Sequence, residues 1–210
     1  MYLIEDNRLL RDSTAAMLRA QGLTLAGAAK SGDEALKDLE SARPKVVLLN
    51  AALADGVSVV ERLRRASPEV GVIVTNFPPT QAGLVAFIRA GVAGFILKDA
   101  TVEEIIGTIR RVVGGAPALP RALGSLMFSQ LADQPRARAR RDLGARPQLT
   151  RRERDVLRLI ADGLSNKEIA DRLNVATHTV KSHVHSVLEK LGLRTRLEVA
   201  AYVHSEGTAP

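Results

Sequence analysis

The feature that most constrains the fold is an alternation of short apolar runs with helical patterns over residues 1–115. Five apolar runs bounded by turn residues are predicted to be buried parallel strands, at residues 2–4, 23–28, 45–49, 70–74 and 94–97. Between them, Ser31 with Glu34 and Thr101 with Glu104 have the spacing of capping boxes that begin helices. Strands that alternate with helices predict an α/β fold, a doubly wound five-stranded parallel sheet.

Residues 116–148 have a different character. Residues 121–148 carry six basic and two acidic side chains, while the whole chain carries a net charge of +7. The segment is rich in arginine and low in complexity, so we interpret 116–148 as a linker, with a short helix around residues 123–131. A basic linker favours an anionic partner such as DNA, although an arginine-rich solvated linker would give the same pattern.

From residue 149 to residue 210 the pattern is all-helical. Thr150 with Glu153 and Ser165 with Glu168 have capping-box spacing, and a three-residue turn at 174–176 leads into a longer helix. A fourth helix is predicted to begin near Arg196. Two short helices joined by a tight turn predict a four-helix, all-α helix-turn-helix domain.

The helix after the turn, residues 177–191, has two faces. At 100° per residue, Val180, Val184 and Val187 fall on one side of this helix, and His178, Lys181, Ser182 and His185 fall on the other. Lysine, serine and histidine side chains can bond to base edges or phosphates. Most polar helix faces are merely solvated, but the tight turn and the cap favour recognition of double-stranded DNA.

The stretch LTRRERDVLRLIADGLSNKEIADRLNVATHTVKSHVHSVLEKLGLRTRLEVAAYV resembles the LuxR-type helix-turn-helix domain over its full length. The resemblance implies base contacts at Lys181, Ser182 and His185, and contacts to the DNA backbone at Asn166, Thr177, Thr179 and Lys190. It also implies that the last helix, residues 196–204, pairs two copies through Val199 and Tyr202.

Residues 1–115 resemble the flavodoxin-like receiver domain of NarL/FixJ response regulators. The family's landmarks map onto the acidic pair Glu5 and Asp6, the phosphoacceptor position Asn50, the hydroxyl residue Thr75, the switch aromatic Phe95 and the lysine Lys98. The acceptor in the family is an aspartate, so the central landmark is replaced by an amide.

The amide of Asn50 lacks the charge and the free lone pairs of a nucleophilic carboxylate. It also removes one anion from the metal site, so Glu5 and Asp6 are expected to bind Mg²⁺ weakly at best, and no cofactor is required. Lys98 could pair with Asp6 and hold the pocket closed. The resemblance therefore implies a receiver that cannot form aspartyl phosphate at residue 50.

Several alternatives remain open at this stage. The receiver domain is either a scaffold for dimerisation or a switch with another input, such as a small ligand, a partner or concentration alone. Phosphorylation at Asp6 or Asp55 is a further alternative, as is an adaptor without DNA function. An enzyme is not expected, because all four histidines lie in the helical domain, far along the chain from Glu5 and Asp6.

Composition limits the other classes of protein. The chain has no cysteine and only 3% aromatic residues, which argues against disulfides, thiolate metal sites and base-stacking surfaces. Since no apolar run approaches the ~20 residues of a membrane span, we expect a cytoplasmic protein with no membrane partner. The expected partners are a second copy, an inverted-repeat promoter site and RNA polymerase, but no cognate histidine kinase acting on Asn50.

Overall fold

The structure is a computed structural model that describes residues 1–78, 83–120, 122–123, 149–193 and 195–206. The strands are β1 (Tyr2–Ile4), β2 (Gly27–Ala29), β3 (Val46–Asn50), β4 (Gly71–Phe77) and β5 (Gly94–Leu97). The receiver helices are α1 (Arg8–Ala20), α2 (Gly32–Ala42), α3 (Gly56–Ala66), α4 (Leu84–Ala90) and α5 (Val102–Val113). The helical unit contains α6 (Arg151–Ala161), α7 (Asn166–Leu173), α8 (Thr177–Leu191) and α9 (Arg196–Glu206). Apart from residue 123, the short helix predicted at 123–131 lies outside the described residues.

The five strands form one parallel sheet in the order β2-β1-β3-β4-β5, which confirms the predicted doubly wound α/β fold. The second strand begins later than expected, at Gly27, because residues before it donate their N–H groups elsewhere. The N–H of Leu23 closes the end of α1 on the carbonyl of Leu18, and the N–H of Ala26 bonds to the carbonyl of Met1. The ring of Tyr2 packs against Gly27, where a Cβ would lie only 2.4 Å from a ring carbon.

Apolar clusters cover both faces of the sheet, which explains why the central strand is a continuous apolar run. Val47 and Leu49 of β3 pack with α2, α3 and α4, while Val46 and Leu48 pack with α1 and α5. All five residues of β3 are buried. After α5 the chain stays on this domain, because Ala118 extends the sheet beside Gly94. Because β1, β3 and β4 are neighbouring parallel strands, their carboxyl ends lie at one edge of the sheet.

The helical unit has its own core, which includes Val156, Ile160, Ile169, Val180 and Val187. The capping boxes predicted at Thr150, Ser165 and Thr101 are formed in both directions. The box predicted at Ser31 is only half formed, because the Glu34 carboxylate accepts the N–H of Lys30 instead of that of Ser31. The four-helix helix-turn-helix prediction is confirmed.

The two units touch along one side of the receiver domain. Leu197 of α9 packs into the apolar cluster that contains α4. The guanidinium of Arg111, on α5, donates to the carbonyl of Gly163 at 3.3 Å. Within the described ranges, no helix is both long enough and apolar enough to cross a membrane.

Candidate functional site

The first candidate site lies at the carboxyl edge of the sheet. Glu5 follows β1, Asn50 is the last residue of β3, and Thr75 of β4 is in register with Asn50. Neighbouring parallel strands end at the same edge, which is where ligands bind in open α/β sheets. The structure therefore brings together Glu5, Asn50 and Thr75, as expected from the sequence.

The amide of Asn50 is engaged at both ends. Its Nδ2 donates to Glu5 Oε1 at 2.9 Å, and its Oδ1 accepts the N–H of Ala52 at 3.1 Å. Asn50 is 4% exposed and Glu5 is 3% exposed, so the pair is buried. A rotated amide would set an oxygen against the carboxylate and an NH₂ against an N–H. Only the observed orientation satisfies both neighbours, so the amide links β1 to the loop after β3.

The surroundings of Glu5 shift the pKa of its carboxyl group. Burial raises its pKa, while the hydrogen bonds from Asn50 and from the N–H of Asn7 lower it, and the neighbouring Asp6 raises it again. The net effect is a pKa above the ordinary value for glutamate. The NH₂ group of Asn50 thus stabilises the charged form of the Glu5 carboxyl group, which is shielded from water.

The residues at this edge fit Mg²⁺ poorly. Glu5 Oε1 already accepts two hydrogen bonds, from Asn50 and Asn7, and Asn50 Oδ1 faces the N–H of Ala52. Asp6 is exposed and accepts the N–H of Asn7 at 3.0 Å. In the described part of the chain, no three histidine, aspartate or glutamate side chains converge on a point that could hold a metal ion. Mg²⁺ demands near-octahedral oxygen ligands, which this arrangement does not offer.

Lys98 does not close the pocket in the way the sequence suggested. Its side chain is exposed, and among the described residues no ion pair joins it to Asp6. The Lys98–Asp6 prediction is therefore wrong, since both side chains are exposed and Asn50, not Lys98, donates a hydrogen bond to the buried carboxyl group at this edge. Asp55 is also exposed, at the start of α3, and makes no side-chain cap.

Phe95 is fully buried within a cluster of three phenylalanines. Its ring lies 5.0 Å from that of Phe77 and 6.5 Å from that of Phe87, both edge to face. The sequence analysis did not identify Phe77 or Phe87 as partners of this position, although only four phenylalanines occur in the chain. Phe95 thus packs in the core between β4, β5 and α4, and its switch role stays a prediction.

The second candidate site is the outer face of α8. The apolar stripe is confirmed, since Val180, Val184, Val187 and Leu191 are all buried. The opposite face carries exposed His178, Lys181, Ser182 and His185, together with exposed Thr177 and half-buried Thr179. The structure therefore places the three predicted base contacts on one accessible helix face, whereas Asn166, a predicted backbone contact, lies on α7.

Lys181 has a partner on the receiver domain. Its Nζ lies 3.3 Å from Glu69 Oε2, in the loop between α3 and β4, and both side chains are more than half exposed. Ser182 turns inward, donating from Oγ to the carbonyl of His178 at 3.2 Å. In this arrangement Lys181 cannot reach a base without leaving Glu69.

Two of the predicted backbone contacts also have structural partners. Lys190 Nζ donates to both oxygens of Glu153 at 2.8 Å, joining α8 to the start of α6, and lowers the pKa of Glu153. Asn166 Oδ1 accepts from the guanidinium of Arg196. The sequence analysis missed Glu153 and Arg196 in these roles. DNA contacts at Lys190 and Asn166 remain predictions.

Arg196 is half-buried at the start of α9, and this desolvation lowers its pKa to about 10. Its second terminal nitrogen donates to the carbonyl of Leu164 at 2.6 Å. Val199 is fully buried in the helical core, so its prediction as a contact between two copies is wrong in this arrangement. Tyr202 is half-buried and packs against the same core, which leaves its pairing role as a prediction.

A doubly wound α/β domain with Asn50 at its carboxyl edge, joined to a four-helix helix-turn-helix domain, has the architecture of a two-domain regulator of the receiver type. Residues 1–110 match the response regulator receiver domain, and residues 147–203 match the bacterial regulatory proteins of the luxR family. The chain belongs to the DNA-binding response regulators of the NarL/LuxR type.

Individual relatives agree over nearly the whole chain. The nitrate/nitrite response regulator protein NarL of Escherichia coli K12 is 33% identical over 209 residues, which cover 98% of this chain and 95% of that protein. The DNA-binding transcriptional activator DevR/DosR of Mycobacterium tuberculosis H37Rv is 31% identical, covering 96% and 92%. The structure of RcsB from Salmonella enterica bound to a promoter shares the fold, with a TM-score of 0.55 at 20% identity and 96% of both chains covered.

Proposed function

We propose that this regulator controls transcription independently of aspartyl phosphorylation of its receiver domain, at residue 50 or elsewhere. The observation that carries the proposal is the buried amide of Asn50, whose two polar atoms are bonded to Glu5 and to Ala52. An amide offers no nucleophilic oxygen to a phosphoryl donor, and this one also has no unpartnered oxygen facing the pocket.

The proposed target is double-stranded DNA, bound by a homodimer at an inverted repeat. The exposed face of α8, with Lys181, Ser182 and His185, supplies the base-reading surface. A relative described as a DNA-binding transcriptional activator supports this assignment. Affinity should fall steeply with salt, because lysine and arginine contacts to phosphate release counterions. RNA polymerase is the proposed further partner, in the cytoplasm.

The phosphorylation part of the proposal is tested on wild type and Asn50→Asp, each with and without acetyl phosphate and Mg²⁺. Sedimentation and binding to an enriched promoter fragment are measured together. We expect wild type to bind DNA and ignore the phosphodonor. Phosphate uptake by wild type, traced by mass spectrometry to Asp6 or Asp55, would contradict the proposal.

The DNA part is tested by Lys181→Ala and His185→Ala, with Lys30→Ala on the receiver surface as the matched control. Loss of a side chain that reads a base edge should cost about 1–3 kcal/mol of specific binding. The control should bind as wild type does. A footprint unchanged by both α8 substitutions would refute the assignment of this face.

A further inference from the structure

An apolar cleft lies at the amino-terminal edge of the sheet, the edge opposite Asn50. It has a volume of about 420 Å³, within the range of small-molecule sites. Most of its surface is apolar, formed by Leu23, Ala26, Ala42, Pro44, Ile109 and Val113, and Met1 and Thr24 also line it. Val113 is 48% exposed, an unusual position for a large apolar side chain. The cleft is thus suited to an apolar body.

Positive charge surrounds this apolar floor. Arg43, Lys45 and Arg110 also line the cleft, and no acidic side chain lines it. Among the described residues none of these three cations is in an ion pair; Arg43 donates only weakly, to the carbonyl of Glu40 at 3.4 Å. The charge of the rim and the apolar floor together match an anion attached to a hydrocarbon body.

The conformation of Arg43 gives an independent indication. Arg43 ends α2 in the left-handed region, with φ 37° and ψ 53°. The other C-capping residues in the left-handed region of the described chain are Gly91, Asn174 and Gly192, the residue types that adopt this conformation readily. An arginine there is strained, because its Cβ crowds the following carbonyl oxygen. Backbone strain of this kind is concentrated at ligand clamps and switches.

Helix ends explain only part of the charge. Arg43 follows α2, and Arg110 lies in the last turn of α5, where a cation offsets the partial negative charge of the helix end. Lys45 stands immediately before β3, beyond the helix end, yet faces the same cleft. Three cations on a concave apolar surface exceed what two helix ends require.

We infer that this cleft is a binding site for a small amphipathic anion, an apolar molecule that carries a carboxylate or a similar acidic group. The acid would lie between Arg43, Lys45 and Arg110, and the apolar body would contact Leu23, Ile109 and Val113. Binding would bury the exposed part of Val113 and give these unpaired cations an anionic partner.

The site also has a physical connection to the helical unit. Arg110 and Val113 flank Arg111 on the last turn of α5, and Arg111 donates to the carbonyl of Gly163 at 3.3 Å and to that of Pro117 at 3.2 Å. A ligand that pulls this turn towards α2 would strain the hydrogen bond between Arg111 and Gly163, which joins the two units. This regulatory link rests on the proposed DNA-binding function, whereas the ligand site itself does not.

The binding test uses octanoate as the probe with the full chain, and octanamide and acetate as matched controls that lack the charge or the apolar body. Calorimetry should detect octanoate and neither control. Lys45→Glu and Arg110→Glu should each weaken octanoate binding about fivefold or more. Each variant removes one exposed ion pair with the carboxylate of octanoate and adds a repulsion. Lys37→Glu, an exposed charge reversal on α2 outside the cleft, should not. Equal effects of all three variants, or no octanoate binding at millimolar concentrations, would overturn the site.

A measurement on wild type alone guards against misfolded variants. Octanoate should shift the backbone amide resonances of Leu23, Lys45 and Val113 most strongly, and the largest shifts elsewhere would overturn the site. DNA affinity is measured separately: octanoate should change it in wild type and not in Arg111→Ala, which should still bind octanoate. Octanoate binding without any change in DNA affinity would refute the link and leave the ligand site standing, whereas failure of wild type to bind DNA would refute the proposed function.

Discussion

Placing the family's aspartate at the acceptor position, by Asn50→Asp, should destabilise this receiver domain. In the structure Asn50 Nδ2 lies 2.9 Å from Glu5 Oε1, and both residues are buried. The substitution keeps the shape of the side chain but sets a carboxylate oxygen where the NH₂ group stands. It replaces a charge-assisted hydrogen bond with a repulsion between two carboxylates.

The size of the effect follows from the distance. Two unit charges 2.9 Å apart repel by about 6 kcal/mol at an effective dielectric constant of about 20. Protonation sets a limit, because raising one carboxyl pKa from about 4.3 to 7 costs about 3.7 kcal/mol. With some relaxation of the loop after β3, we expect a loss of about 2–4 kcal/mol at pH 7. For a domain of this size the melting temperature would fall by roughly 10–15 °C.

The assay is urea unfolding followed by circular dichroism, in EDTA and in Mg²⁺, at pH 7 and pH 5. The destabilisation should shrink at pH 5, where the introduced carboxyl group can be protonated and donate to Glu5, and it should shrink in Mg²⁺ if the metal offsets the repulsion. Asn76→Asp is the control, since Asn76 is exposed at the same sheet edge and its left-handed backbone, with φ 54°, is one that both Asn and Asp adopt, so the variant should lose far less stability than Asn50→Asp. Equal midpoints for wild type and Asn50→Asp at pH 7 in EDTA would refute the reasoning.

Three further perturbations follow from the pairs described above. Lys190→Met should cost the helical unit about 1–2 kcal/mol in urea unfolding, because it leaves the Glu153 carboxylate buried without its cation; an unchanged midpoint would exclude a structural role. The lowered pKa of Glu153 means that its contribution is present above its unfolded pKa and lost as pH falls through its folded pKa, whereas the raised pKa of Glu5 gives a penalty that falling pH relieves. Acid should therefore weaken the helical unit before the receiver domain, which unfolding monitored separately in each domain would check. Glu69→Gln should tighten DNA binding about two- to fivefold at low salt by releasing Lys181, and no change at any salt concentration would show that the pair does not compete with DNA.

The strands and caps were predictable because their signals are local. Val46 to Leu49 form a run that only a strand covered on both faces explains, and the Thr150–Glu153 spacing is a capping box wherever a helix begins. The pattern placed β2 too early, because Leu23 and Ala26 give their N–H groups to α1 and to Met1. The first bond closes a helix end and the second joins distant parts of the chain, and neither leaves a trace in hydrophobic periodicity.

The partners of the candidate site residues were not predictable in the same way. The replacement at Asn50 was visible in the sequence, but its bond to Glu5 depends on how β1 and β3 are registered. Lys190 was expected at DNA and is held by Glu153, 37 residues earlier, and Val199 was expected at a dimer surface and is buried. A helical wheel gives the direction of a side chain and not the identity of the element packed against it.

The phenylalanine cluster makes the receiver domain unusually easy to observe. The chain has four phenylalanines and no tryptophan, and three of the four form the cluster around Phe95. Replacement of phenylalanine by its fluorinated analogue would give four ¹⁹F resonances, of which three report on this one position. Any input that rearranges the domain, whatever its chemistry, would then be read directly from a spectrum with almost no background.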